Sequence, residues 1–95
     1  MATAAENLIR QLDRLSEELR GTLTPEKLEG LDEWFRLEAP EACRNASRLP
    51  FPYNQRILRH FRRMREEERP LPAIAGFLRH GLDEIYDILR DYQSA

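Results

Sequence analysis

The sequence predicts an all-α fold, a small bundle of four to five helices with short connections that contain proline or glycine. Three observations lead there. Apolar residues recur at helical spacing in successive segments. The segments are separated by proline and glycine. No stretch alternates in the way a half-buried strand requires. The 95 residues fit one domain with a modest core. Charged residues make up 34% of the chain, against about 25% in typical soluble domains, so long helical faces must meet solvent or a partner.

The elements come in order, over about 4–22, 25–38, 40–48, 53–68 and 72–92. The stretch "TAAE" at Thr3–Glu6 has the form of a capping box and starts the first helix. Leu8, Leu12, Leu15 and Leu19 then recur at steps of four and three, a narrow seam suited to helix-on-helix contact. The seam can close within the domain or against a second copy, and it is the candidate association surface. Arg10–Asp13 and Arg14 with Glu17 or Glu18 are expected as favourable pairs along its flanks.

Gly21 can close this helix, and Thr24 with Pro25 opens the next. Leu28, Leu31 and Phe35 share one face, and Trp34 is expected at its border or projecting from it. Pro40 is expected to end the second helix. A short third helix carries Ala42, Ala46 and Leu49, whose small side chains invite close approach. Pro50 and Pro52 stiffen the connector that holds Phe51. The fourth helix has Ile57, Phe61 and Met64 as its apolar stripe. Pro70 and Pro72 break it from the fifth, which has a wide apolar face from Ile74 to Tyr92. Gly81 lies on that face, either to admit a close neighbour or to mark a break.

Charge is the most informative feature. Residues 1–43 hold five basic side chains against ten acids, residues 44–65 hold seven arginines and no acid, and residues 66–95 hold three arginines against seven acids. The net charge of −2 therefore conceals a segment of +7. On a helical wheel, Arg56, Arg59, His60, Arg62 and Arg63 fall opposite the apolar stripe of the fourth helix. Arg44 and Arg48 on the short helix can extend this surface, and Tyr53 can add an aromatic face. These eight residues are the candidate partner- or anion-binding set. One alternative is internal. Glu66–Glu68, or Asp83, Glu84, Asp87 and Asp91 of the fifth helix, can answer the arginines within the molecule.

Catalytic signatures are missing. The chain has no phosphate loop, nucleophile elbow or His-Glu-x-x-His sequence. One cysteine, Cys43, and two histidines do not complete a four-ligand metal cage, and a buried, packing role is expected for the thiol. His80 is expected to contact Asp83 or Glu84, and the wheel sets it apart from His60. No cofactor is implied. The N-terminal residues lack a signal-peptide pattern and no apolar run reaches bilayer length, so a cytoplasmic location with no membrane role is expected. The expected function is a non-catalytic interaction module, an adaptor, regulator or accessory subunit that docks an acidic protein surface, with homodimer formation as a further possibility. The alternative is a small nucleic-acid-binding regulator that contacts phosphates through Arg56–Arg63. A whole-chain pI near 5.7 weighs against that alternative, because dedicated nucleic-acid binders are usually above about 9.

Overall fold

A computed structural model describes residues 2–66 and 71–95, and the side chains of all of these except 66 and 71–74. Helix α1 spans Ala4–Leu19, α2 Pro25–Glu33, α3 Ala39–Ser47, α4 Tyr53–Glu66 and α5 Leu71–Ser94. A π-helical turn, Trp34–Glu38, joins α2 directly to α3. The all-α bundle expected from the sequence is the observed fold. The Cα radius of gyration is 13.0 Å, close to the roughly 12 Å of a folded chain of this length.

Local chemistry sets the helix ends. Thr3 Oγ1 accepts from the Glu6 amide at 3.1 Å, and Thr24 Oγ1 accepts from the Lys27 amide at 3.3 Å. Both bonds satisfy amides that a helix start leaves without partners. Past the end of α1, Gly21 takes φ +70°, a conformation costly for any side chain. The carbonyls there are held from elsewhere. Arg79 of α5 donates to Leu19 O at 2.9 and 2.6 Å and to Gly21 O at 3.1 Å, and Lys27 Nζ donates to Arg20 O. Two cations thus sit where the helix dipole is negative.

Pro40 does not break the helical path. The backbone stays helical from α2 through the π turn into α3. The Ala39 amide reaches back five residues to Trp34 O, and Pro40 falls at the start of α3, directly after the π turn. A π turn acts as one inserted residue and rotates the succeeding helix by roughly 100°. That rotation keeps Leu31 and Trp34 on the same side as Ala39, Ala42 and Ala46, and all five are buried.

Helix α1 packs against α2, α3 and α5, while α4 packs on α3 and α5. Leu8, Leu12, Leu15 and Leu19 are all buried in the core shared by these helices. The leucine seam, a candidate association surface by its spacing, is therefore occupied inside the monomer. A second copy has no access to it. Helix α5 runs unbroken through Gly81, where an added Cβ would lie 3.3 Å from Met64 Cγ and Sδ. Of the two readings of Gly81, close approach is the one observed. Ile74 in the apolar face of α5 and Glu66–Glu68 as internal partners are expectations whose side chains lie outside the described residues.

Polar contacts differ from the pairs expected along α1. Arg14 pairs with Glu38 of the π turn, and Arg20 with Glu17 at 3.4 Å. Asp13 instead accepts from the Tyr86 hydroxyl of α5 at 2.5 Å, and burial together with that carboxylate holds the phenol well above its usual pKa. Asn45 is buried, and its Nδ2 donates to Gln11 Oε1 at 3.0 Å. Trp34 Nε1 donates to the Gln11 carbonyl at 2.9 Å. Two polar bonds thus fix α1 against the π turn and α3, and they set the register that greasy packing alone leaves loose.

Candidate functional site

Helix α4 is built from two opposed sets of residues. Ile57, Phe61 and Met64, at i, i+4 and i+7, are buried against α3 and α5. The Phe61 ring stacks on Trp34 at 6.4 Å between centroids, so the middle of the helix rests on a core residue that is itself hydrogen-bonded to α1. Arginine is a good helix former, and Arg63 and Arg65 in the last turn complement the helix dipole. The polar side therefore forms as helix without needing packing of its own.

The arginines divide around this helix. Arg56 and Arg59 are exposed on its crest. On the α5 flank, Arg63 lies over the Phe77 ring at 5.9 Å. His60 and Arg63 line a groove of about 280 Å³ with Met64, Phe77, His80 and Glu84. On the α3 flank, Arg62 and Arg65 line a second groove with Cys43, Leu58 and Phe61.

Among the described residues the internal answer to this charge is limited. Glu84 of α5 reaches the α4 side. Asp83 and Asp87 line a different groove, with Ile9 of α1, and Asp87 pairs with Arg90 at 3.2 Å. Among the described residues no ion pair joins an α4 arginine to an α5 carboxylate. The expected pairs of Arg62 and Arg63 with Glu66 and Glu67 lie outside the described residues.

The other candidates are placed elsewhere. Arg44 is held by Glu41, whose carboxyl it keeps below the usual carboxylate range. Arg48 donates to Asn45 Oδ1 at 3.4 Å. Each thus has a local partner on or at the end of α3. Tyr53 is half-buried, its ring edge-on to Tyr92 at 5.3 Å, so it is no free stacking platform. Phe51 takes that position instead. It is 73% exposed in the turn just before α4. Amides of Asn54 and Arg56 bond back to Pro50 and Pro52 carbonyls, so Phe51 precedes the crest by about one helical turn. The sequence places both aromatics at the head of α4, and only the fold shows which of the two is left in solvent.

The histidines are also closer than the wheel implied. His60 and His80 face one groove, and His80 Nε2 lies 3.6 Å from Glu84 Oε1, the intrahelical contact expected. Among the described residues no three His, Cys, Asp or Glu side chains are arranged to hold a metal ion. Burial lowers the His60 pKa, Glu84 opposes that, and Arg63, His80 and Arg56 add to it. The folded state thus resists protonating His60. Its contribution is complete above the unfolded value of about 6.5 and is lost as pH falls through that value, levelling off below the folded pKa. Urea midpoints should accordingly drop between about pH 7.5 and pH 5 in the wild type, and His60→Gln should flatten part of that drop. An identical pH response in the variant would show that His60 is not the group responsible.

No family model, curated protein or solved structure matches this chain. Among the described residues no helix is long and apolar enough to cross a membrane.

Proposed function

We propose that the chain is a non-catalytic interaction module, an adaptor or regulator, that docks an acidic protein surface through the arginine ridge of α4. The observation that carries this reading is the placement of the α5 acids. Asp83 and Asp87 line a groove with Ile9 of α1, and among the described residues no carboxylate pairs with the exposed Arg56 or Arg59 of the crest. Arginine suits such a surface because its fork pairs with carboxylates in two bonds at once and sheds water readily. The leucine seam takes no part, since it is buried. A single half-buried cysteine fits a cytoplasmic, reducing setting.

Phe51 supports a second reading, phosphate contact with base stacking at the head of the ridge. The net charge of −2 opposes it by lowering the long-range attraction of any polyanion.

One titration separates the two. Labelled polyglutamate, duplex DNA and single-stranded RNA are mixed with the protein at low and moderate salt. Polyglutamate should bind best, with affinity falling as salt rises. Arg56→Glu/Arg59→Glu should weaken it by at least about tenfold, or about 1.4 kcal/mol. Tighter binding of either nucleic acid, lost in the same variant, supports the second reading. If none of the three binds at low salt, both readings fail.

A further inference from the structure

The ridge has an apolar border. Between α3 and α4 lies an open groove of about 480 Å³ lined by Cys43, Leu58, Phe61, Arg62 and Arg65. Such a volume lies within the roughly 300–1,000 Å³ of ligand-sized clefts. Its floor is hydrophobic, made of the buried Phe61 ring and the half-buried Leu58 and Cys43. Its rim carries two guanidinium groups, and no carboxylate among the described residues lines it. Burial pushes the Cys43 thiol up, and the charge of Arg65 partly opposes this, so the guanidinium acts on the floor of the groove as well as on its rim.

The two parts of the groove make different demands on an occupant. A purely acidic surface would satisfy Arg62 and Arg65 but leave Leu58 and Phe61 wet. A purely apolar one would cover the floor but take water from two charges without replacing their hydrogen bonds, a costly exchange. A nucleic-acid backbone would hold the arginines and leave the floor uncovered. Both demands are met by a large apolar side chain with carboxylates beside it. Resting on the ridge reading of the function, we propose that this groove seats an aromatic or large aliphatic side chain of an acidic peptide segment, with its neighbouring carboxylates held by Arg62 and Arg65. The groove would then be the anchor of the interface and the crest its electrostatic guide, the division of labour usual at protein–protein contacts.

Cys43 makes the proposal directly readable. It is the single cysteine of the chain and lies in the groove, so its alkylation rate reports occupancy. The probe is a short acidic peptide with a central tryptophan–leucine pair. Controls are the same peptide with serines at those two positions, and dodecanoate. At a peptide concentration ten times its Kd about a tenth of sites are free, so alkylation should slow about tenfold. The serine peptide should protect much less. Arg62→Glu/Arg65→Glu, shown to be helical by circular dichroism, should raise the peptide Kd at least about tenfold.

The contrary outcomes are distinct. Peptide binding that leaves the alkylation rate unchanged overturns the groove and leaves the ridge reading intact. Protection that is unaltered in Arg56→Glu/Arg59→Glu at every peptide concentration keeps the groove and removes the crest from the interface. Protection by dodecanoate but not by the peptide identifies a small amphiphile as the occupant and overturns the peptide assignment. So does protection by neither.

Discussion

Leu12→Asp should abolish the folded state. Leu12 is completely buried at the middle of α1, in the core that joins α1 to its neighbours. Removing a buried leucine costs about 2–5 kcal/mol before any charge is considered. The new carboxylate finds no cation in that core, and it must either ionise at a cost of several kcal/mol or take up a proton. A domain of this length has about 5–14 kcal/mol of stability in all. Circular dichroism should show most of the helix signal gone and no cooperative thermal transition. The result bears on the role of the seam. If the leucines served a partner, the same substitution would yield a folded monomer with a normal melt. A fully helical variant with an unchanged urea midpoint would refute the packing of α1 against α2, α3 and α5.

Trp34→Ala should come next in severity. The indole is 3% exposed, sits edge-on to Phe35 at 5.2 Å and stacks on Phe61 of α4. Truncation of a buried tryptophan costs about 3–5 kcal/mol. Much of the stability would go, with a large shift of the urea midpoint. Trp34→Phe separates packing from hydrogen bonding. It keeps a ring in the site but removes the donor to the Gln11 carbonyl. Its expected cost is nearer 1–2 kcal/mol. A Trp34→Ala variant within 1 kcal/mol of wild type, on the order of an ordinary surface change, would place the indole outside the core. Because Trp34 underlies α4, loss of its ring should also loosen the helix that carries the ridge.

The sequence makes some of these features plain and hides others for identifiable reasons. Leu8, Leu12, Leu15 and Leu19 are visible as a period, and so is the Ile57–Phe61–Met64 stripe, because burial imposes spacing on one helix at a time. The π turn is not visible. Pro40 looks like a stop when each helix is assumed regular, and the extra residue that absorbs it has no composition of its own. A regular wheel consequently puts Trp34 at a border rather than in the core. Asn45 looks like an ordinary polar position because its partner, Gln11, is 34 residues away. The ridge itself is legible as a wheel. Its electrostatic setting is not, since that depends on which flank of α5 meets α4. A wheel for α5 shows Asp83, Glu84 and Asp87 on its polar side but does not say that Glu84 reaches the α4 side while the two aspartates line a groove with Ile9 of α1. The Cys43 groove escapes the sequence for a similar reason, as its lining comes from two helices, α3 and α4.

The clamp of Arg79 on the end of α1 has a consequence for how the chain acquires its structure. Its bonds to the Leu19 carbonyl cross 60 positions, and that from Tyr86 to Asp13 crosses 73. Closing loops of that size is entropically costly and comes late unless intervening structure shortens the path. The first helix is therefore finished by the last one. A nascent or truncated chain without α5 would hold α1 with part of its seam uncovered and without the Arg79 bonds to the Leu19 and Gly21 carbonyls. Backbone amides in the last turn of α1 should thus exchange in step with those of α5, as one cooperative unit assembled from opposite ends of the chain.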